Sequence, residues 1–177
     1  NNIQNLVETE CLFGEKFIVK KELKNWSFGT LCTDDYEGWI ETKHLGDFIF
    51  NNYRVINRSS NIYMEPNDKS KIVQKLSFCC KLKVIKISKS WAKIYLNNKI
   101  FHIGYVPANH ISKNSEISKD WIQYCYNMIG IPYVWGGRSS DGIDCSALLQ
   151  LSFQPIGINL PRNTTQQQTY MKLSKKF

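Results

Sequence analysis

Residues 129–168 read IGIPYVWGGRSSDGIDCSALLQLSFQPIGINLPRNTTQQQ, and this stretch decides the fold of the C-terminal third of the chain. The apolar run 145–153 lies between Gly136-Gly137, which suits a tight turn, and the helix breakers Pro155 and Gly157. It therefore predicts a helix that begins at Cys145. The N-terminus of a helix carries partial positive charge, which stabilises a thiolate. This placement indicates that Cys145 is the nucleophile of a cysteine hydrolase.

The histidines do not complete such a site in the sequence. A cysteine nucleophile needs a base, which is usually histidine, and His44, His102 and His110 all precede Cys145. A lone histidine is more often structural than catalytic, so none of the three is assigned as the base. We expect either that the chain is a fragment of a longer enzyme, truncated at its C-terminal side, or that something else completes the site.

Composition limits the classes of function. The formal charge of +8 comes from 19 lysines and four arginines. The lysines are interpreted as spread along the chain, which favours a solvated surface over a nucleic-acid groove and favours acidic polymers or peptides as partners. The six cysteines show no repeated CxxC spacing, so neither a metal site nor a disulfide scaffold is predicted. Most are expected to be buried thiols, with Cys79 and Cys80 on opposite faces of a strand.

The N-terminal two thirds contain an internal repeat. Residues 13–45 overlay residues 78–111 at an offset of 65, with one inserted residue. The match includes Trp26 on Trp91, Gly38 on Gly104 and His44 on His110. Strands are predicted at 17–19, 26–31 and 38–40, with turns at Asn25 and Asp34-Asp35. Each copy is therefore predicted to be a small antiparallel barrel.

Helical spacing begins after Ser115. Trp121, Cys125, Met128 and Ile129 share one helical face, and Ser118 is predicted to cap this helix. A further helix is predicted from Thr164 or Thr165, either of which can cap it. No stretch approaches the roughly 20 apolar residues of a membrane span.

These motifs resemble two known families. GEK, the tryptophan and GWI in the first copy, and GYVPANHI in the second, resemble bacterial SH3-like domains. PYVWGG at 132–137, Asp144-Cys145-Ser146 and LPR at 160–162 closely resemble the NlpC/P60 family of cell-wall cysteine peptidases. The resemblance implies a multidomain chain. Two small all-β SH3-like barrels are expected at 1–50 and 51–114, and the first is expected to be incomplete at its N-terminal side. The N-terminal helical half of a papain-like α+β domain is expected at 115–177.

The resemblance also implies an activity and a set of residues. It implies hydrolysis of γ-D-glutamyl to diamino-acid bonds in murein peptides, with Cys145 forming an acyl-enzyme and no cofactor. Asp144, Ser146 and Thr164 match substrate-binding positions, and Tyr36 resembles a tyrosine that recognises the free amine of the substrate. Thr164 replaces the usual serine, and Ala147 replaces the usual glycine. A bacterial cytoplasm or periplasm is implied, and the oligomeric state is left open.

Each of these assignments has a structural alternative. Asp144 is equally a helix N-cap, Ser146 a first-turn hydroxyl, and Tyr36 an aromatic cover for a small barrel. Arg162 could bind a substrate carboxylate or anchor a loop by hydrogen-bonding backbone carbonyls. For the whole chain, the alternative function is a non-catalytic murein-binding protein with an inert peptidase remnant. A transferase that uses the same acyl-enzyme cannot be separated from a hydrolase by sequence.

Overall fold

The computed structural model describes residues 7–96 and 102–173. Its first sheet has the order β1-β2-β3 and contains β1 (Phe17–Leu23), β2 (Trp26–Leu31) and β3 (Tyr36–Glu41). A single 3₁₀ turn follows at Thr42–His44. The three predicted strands are confirmed, and two of them are longer than predicted because the hairpins continue to their turns.

The second sheet has seven strands in the order β10-β4-β7-β8-β9-β5-β6. A 3₁₀ turn at Ala108–His110 precedes its last strand. The strands are β4 (Tyr53–Val55), β5 (Ser59–Tyr63), β6 (Ile72–Ser77), β7 (Lys81–Ser88), β8 (Trp91–Tyr95), β9 (Ile103–Pro107) and β10 (Ile111–Lys113).

The remaining segment is mainly helical. It contains α1 (Trp121–Asn127), the short hairpin β11 (Arg138–Ser139) and β12 (Gly142–Ile143), α2 (Cys145–Phe153) and α3 (Thr164–Leu173). Asp120, and not Ser118, caps α1, because its side chain accepts the hydrogen bond from Gln123 N. The cap prediction for α3 is also shifted, since Thr164 is already its first helical residue. No helix in the described residues is long and apolar enough to cross a membrane.

The sequence repeat is also a repeat of backbone geometry. The pairs β1–β2 and β7–β8 each carry an irregularity at the same place, between Val19 and Lys21 and between Val84 and Lys86. Lys24 and Lys89 both have positive φ, at 54° and 52°. The two copies therefore share their hairpin conformation at the offset of 65. The domain bounds 1–50, 51–114 and 115–177, and the description as two barrels plus half of a papain-like domain, stay predictions.

The core continues from the second sheet into α2. Fully buried side chains of the sheet form one cluster with Ala147 and Leu151 of α2. Cys79 contributes to this contact, since its Sγ lies 3.7 Å from Leu151 O. The helix that carries Cys145 is thus packed on a rigid support. The sheet residues of this cluster include Val55, Ile62, Leu76, Leu82, Ile94 and Val106.

Two expectations about the cysteines are wrong. Cys79 and Cys80 lie in the turn between β6 and β7, and not within a strand, because Cys79 adopts a left-handed conformation with φ of 65°. These two are also the only fully buried thiols, whereas Cys11, Cys32 and Cys145 are exposed. Burial raises the pKa of Cys80 to about 12 and raises the pKa of Cys79 as well. Both are therefore inert packing residues.

Candidate active site

The candidate nucleophile lies at the first residue of α2. Asp144 caps this helix, because its Oδ1 accepts a hydrogen bond of 2.8 Å from Ala147 N. Cys145 follows directly and is exposed. The predicted start of the helix is confirmed, and the thiol lies at the N-terminal end of α2.

Arg162 joins the two residues that flank Cys145. Its Nη1 and Nη2 donate to Asp144 Oδ1 and Oδ2 at 3.0 and 2.6 Å, and Nη1 also donates to Ser146 Oγ at 2.6 Å. Ser146 Oγ in turn donates to Asp144 Oδ1 at 3.0 Å. Arg162 is only 2% exposed. The structure therefore favours Arg162 as an anchor over Arg162 as a ligand of the substrate carboxylate, because its guanidinium already binds side chains of the protein.

The surroundings of Asp144 keep it ionised. Burial alone would raise the pKa of this carboxyl group. The hydrogen bonds from Arg162 and from Ala147 N, together with the charge of Arg162, outweigh burial and hold the pKa below its usual range. Asp144 is therefore a buried carboxylate that fixes the N-terminus of α2, as the N-cap interpretation requires.

A segment from the start of the chain crosses this cluster. Arg162 Nε donates to Thr9 Oγ1 at 2.8 Å. Gly136 has φ of +77°, and a Cβ atom there would lie 2.3 Å from Val7 O. Gly136 N also donates to Asp144 Oδ2 at 3.1 Å. A side chain at Gly136 would therefore displace residues 7–9 from the site.

Tyr36 belongs to the same neighbourhood. Its hydroxyl donates to Glu8 Oε2 at 2.9 Å, and its phenol lies close enough to Arg162 to feel that charge. Burial, followed by the hydrogen bond to Glu8 and the charge of Glu8, raises the pKa of Tyr36. The structure thus places Tyr36 beside Glu8 and within range of the charge of Arg162, and its role in recognising the substrate stays a prediction. It adds Glu8, an exposed residue with no recognisable motif around it.

A side chain of α2 holds the turn that carries Tyr36. Gln150 Nε2 donates to Asp34 Oδ2 at 2.8 Å, and Asp34 Oδ1 accepts from Tyr36 N at 3.2 Å. Gln150 is buried and also donates to Leu160 O at 2.9 Å. The position of Tyr36 relative to Cys145 is therefore set by a hydrogen-bonded link between the first sheet and α2.

Thr164 is exposed at the first residue of α3. The contact of α3 with the site is made by Gln167 instead, whose Nε2 donates to Ser146 O and to Pro161 O, each at 2.9 Å. Substrate contacts by Thr164, as by Asp144 and Ser146, stay predictions.

A second buried ion pair fastens the N-terminal segment to the hairpin before Cys145. Arg138 Nη1 and Nη2 donate to the two carboxylate oxygens of Glu15 at 3.0 and 3.1 Å. Arg138 Nη1 and N also donate to Glu10 O and Glu10 Oε2, each at 2.7 Å. Arg138 and Glu15 have side chains that are 1% and 0% exposed. This pair fastens Glu10 and Glu15 of the N-terminal segment to the hairpin that precedes Cys145.

The histidines lie in turns and loops beside the two larger sheets. His44 pairs with Glu41 at 3.1 Å, and the Nδ1 of His110 lies 2.9 Å from Ser60 Oγ. His102 is exposed. Within residues 7–96 and 102–173, no histidine is hydrogen-bonded to Cys145, and no group of three or more potential metal ligands is formed.

Comparison with known proteins identifies the segments. Residues 130–176 match the NlpC/P60 family, and residues 3–45 match the bacterial dipeptidyl-peptidase Sh3 domain. A crystal structure of an NlpC/P60 family protein from Bacillus cereus superposes with a TM-score of 0.76 at 22% identity, covering 90% of this chain and 58% of that one. The fold of this chain is therefore shared with that NlpC/P60 family protein.

The curated relatives are named as peptidases and hydrolases of glutamyl bonds. A γ-D-glutamyl-L-lysine dipeptidyl-peptidase of Bacillus subtilis is 26% identical over 175 residues, which cover 92% of this chain and 58% of the relative. A γ-DL-glutamyl hydrolase of Bacillus subtilis is 50% identical over 48 residues, which cover 26% of this chain and 12% of the relative. The resemblance found in the sequence is confirmed, because residues 130–176 match the NlpC/P60 family model. The chain spans 58% of the length of the first relative.

Proposed function

We propose that this protein is a cysteine endopeptidase that hydrolyses the γ-D-glutamyl to diamino-acid bond of murein peptides. The observation that carries the proposal is the exposed Cys145 at the N-terminus of α2, held beside a buried cluster of Asp144, Ser146 and Arg162. The relative named as a γ-D-glutamyl-L-lysine dipeptidyl-peptidase supports the choice of bond.

The reaction would pass through a thioester. The Sγ of Cys145 attacks the γ-carbonyl carbon of the D-glutamyl residue, and the backbone N–H of Cys145 helps to hold the oxyanion. The C–N bond to the diamino acid then breaks, and the amine leaves after taking up a proton. Water hydrolyses the thioester, which releases L-alanyl-D-glutamate and restores the thiol. The proposal includes a proton acceptor from outside the described residues.

Recognition of the free amine is assigned to the region around Tyr36. The hydroxyl of Tyr36 and the carboxylate of Glu8 are already hydrogen-bonded to each other. Glu8 is exposed, whereas the negative charge of Asp144 is balanced by its buried ion pair with Arg162. An ammonium group would therefore be attracted first to Glu8. In this proposal Arg162 is a positioning residue, because it acts through Asp144 and Ser146.

The test is cleavage of the tripeptide L-Ala-γ-D-Glu-L-Lys by the full-length protein. Cys145→Ala should abolish the release of L-alanyl-D-glutamate. Cys32→Ala is the matched control, because Cys32 is also exposed but lies in a turn of the first sheet, and it should leave release unchanged. Undiminished release by Cys145→Ala would refute the proposal.

A second candidate is a murein-binding protein whose peptidase segment is inert. It is favoured by one observation, that no histidine reaches Cys145 among the described residues. It predicts that the protein is retained on insoluble murein with or without Cys145 and releases nothing from the tripeptide. Catalytic release that depends on Cys145 would exclude it.

A further inference from the structure

A polar cavity lies between the second sheet and α1. It has a volume of about 370 Å³ and is lined by Asn57, Arg58, Ser59, Tyr126 and Asn127. The first three residues precede or begin β5, and the other two are the last residues of α1. The hydrogen bonds around Cys145 involve none of these five residues. The cavity is therefore a different feature from the candidate active site.

Arg58 is fixed in this cavity by one edge of its guanidinium. Its Nε donates to Asn127 O at 2.8 Å, and this carbonyl belongs to the last turn of α1, where helix carbonyls lack partners within the helix. Within residues 7–96 and 102–173, neither Nη1 nor Nη2 of Arg58 makes a further hydrogen bond. Both remain free to bind the two oxygens of one carboxylate.

The backbone beside these two donors leaves room for a ligand. A Cβ atom built on Gly130 would lie 3.9 Å from Arg58 Nη1, which is an ordinary contact distance. Gly130 itself has no side chain and is exposed. The Nη1 end of the guanidinium is therefore not crowded by the loop that follows α1.

The positive charge of Arg58 is not balanced in the described part of the chain. The ion pairs there involve other residues, and none of the five residues that line the cavity is acidic. Arg58 is exposed, so an anion can reach it from solvent. The cavity therefore attracts negative charge.

Charge and geometry together select the kind of anion. Arg58 is the single cation among the lining residues, and one guanidinium balances one carboxylate. A phosphate monoester carries about −1.5 to −2 charges at neutral pH, which would leave charge unbalanced. The cavity also lies at the C-terminal end of α1, where the partial negative charge of the helix disfavours excess negative charge. A planar monoanion that matches the guanidinium fork is thus favoured.

The other lining side chains can pair with a polar group next to that carboxylate. Asn57 and Asn127 each offer an amide that both donates and accepts, and Ser59 and Tyr126 each offer a hydroxyl. None of these four side chains makes a hydrogen bond with another described residue of the chain. A ligand amide or hydroxyl close to the carboxylate would therefore find both donors and acceptors.

We propose that this cavity binds the carboxylate of a small polar molecule. Nη1 and Nη2 of Arg58 donate to its two oxygens, and the side-chain amides of Asn57 and Asn127 bind a neighbouring amide or hydroxyl. The inference does not rest on the peptidase activity, because it uses neither Cys145 nor the residues that surround it.

The test measures binding of N-acetylglycine to the full-length protein by saturation-transfer NMR. N-acetylglycinamide has nearly the same size but no charge, and it should bind about tenfold more weakly or worse. Arg58→Gln should weaken the binding of N-acetylglycine by about tenfold or more. The control Lys21→Gln removes one positive charge from an exposed position of the first sheet and should bind like the wild type.

A second variant separates lost binding from a folding defect. Arg58→Gln also loses the hydrogen bond to Asn127 O, so its urea midpoint must be measured beside its affinity. Asn57→Ala keeps Arg58 and this hydrogen bond, and it should weaken the binding of N-acetylglycine by roughly 2- to 10-fold. Unchanged affinity in both Arg58→Gln and Asn57→Ala would place the ligand elsewhere and overturn the proposal.

Three further results would also overturn it. Equal affinity for N-acetylglycine and N-acetylglycinamide would show that the carboxylate is not recognised. Equal weakening by Arg58→Gln and Lys21→Gln would show that only net charge matters. Tighter binding of methyl phosphate than of N-acetylglycine, lost in Arg58→Gln, would identify a phosphate site instead of a carboxylate site.

Discussion

Two buried arginines of the C-terminal segment each hold a carboxylate, and their surroundings differ. Arg138 binds Glu15 and the backbone carbonyl of Glu10, both in the N-terminal segment. Arg162 binds Asp144 and Ser146, the two residues that flank Cys145. The same chemistry thus fastens the N-terminal segment in one place and orients the nucleophile's neighbours in the other. The first pair is expected to govern stability, and the second to govern activity.

Arg138→Met should give the largest effect on stability. Removing one partner of a buried ion pair costs about 3–5 kcal/mol, because Glu15 would be left buried without its counter-charge. The free energy of unfolding in urea measures this loss. The double variant Arg138→Met, Glu15→Met should regain most of it, since no uncompensated charge remains. A loss in the double variant equal to that of the single variant would contradict the account.

Arg162→Lys should lower kcat/KM for the tripeptide by roughly 10- to 100-fold. Lysine keeps the positive charge but cannot donate the two hydrogen bonds that Arg162 makes to the carboxylate of Asp144. The matched control is Arg138→Lys, which makes the same substitution in the ion pair with Glu15 and should change kcat/KM by less than about threefold. Equal losses in the two variants would show that the pairs do not have separate roles.

Acid should weaken both pairs. Burial would raise the pKa of Glu15, but the charge and hydrogen bonds of Arg138 outweigh it and lower the pKa, as happens for Asp144. A lowered carboxyl pKa gives stability that is complete above the unfolded value of about 4 and is lost as the pH falls through the folded value. The free energy of unfolding should therefore fall as the pH is lowered below about 5. Glu15→Gln, which cannot titrate there, should show a smaller fall than the wild type, and an equal fall would speak against this assignment.

Tyr36→Phe should have the smallest effect. It removes the hydrogen bond to Glu8, which is worth about 0.5–1.5 kcal/mol, so KM for the tripeptide should rise by roughly 2- to 10-fold. The free energy of unfolding should fall by no more than this amount, because the ring remains. Acetylation of the substrate's amine should abolish the difference between the two proteins. A difference that persists with the acetylated tripeptide would show that Tyr36 does not recognise the amine.

Local sequence signals predicted much of this fold. The bounds of α2 follow from Asp144 before it and the helix breakers Pro155 and Gly157 after it. The strand positions follow from the repeat. The repeat also indicates a turn at Cys79, although the strand prediction does not use this indication. The equivalent residue in the first copy is Gly14, and the two have φ of 79° and 65°. The cap of α1 is not fixed by the sequence, because Ser118 and Asp120 are both good N-cap residues and lie two residues apart.

The contacts that assemble the candidate site could not be predicted in this way. Gln150 and Asp34 are 116 residues apart in sequence, and Arg162 and Thr9 are 153 apart. Neither pair leaves a periodic pattern, because each contact depends on how the sheets pack on α2. The importance of Glu8 likewise emerges only from its hydrogen bond to Tyr36. Sequence predicted the nucleophile, and tertiary packing supplied its surroundings.

The most direct test of the account is to trap the acyl-enzyme. The full-length protein would be mixed with L-Ala-γ-D-Glu-L-Lys, quenched in acid within the first turnover, and digested for peptide mass measurement. The account predicts an added L-alanyl-γ-D-glutamyl group on the peptide that contains Cys145, and on none of the peptides with the other five cysteines. Cleavage of the tripeptide with Cys145 unmodified at every quench time, and persisting in Cys145→Ala, would contradict it.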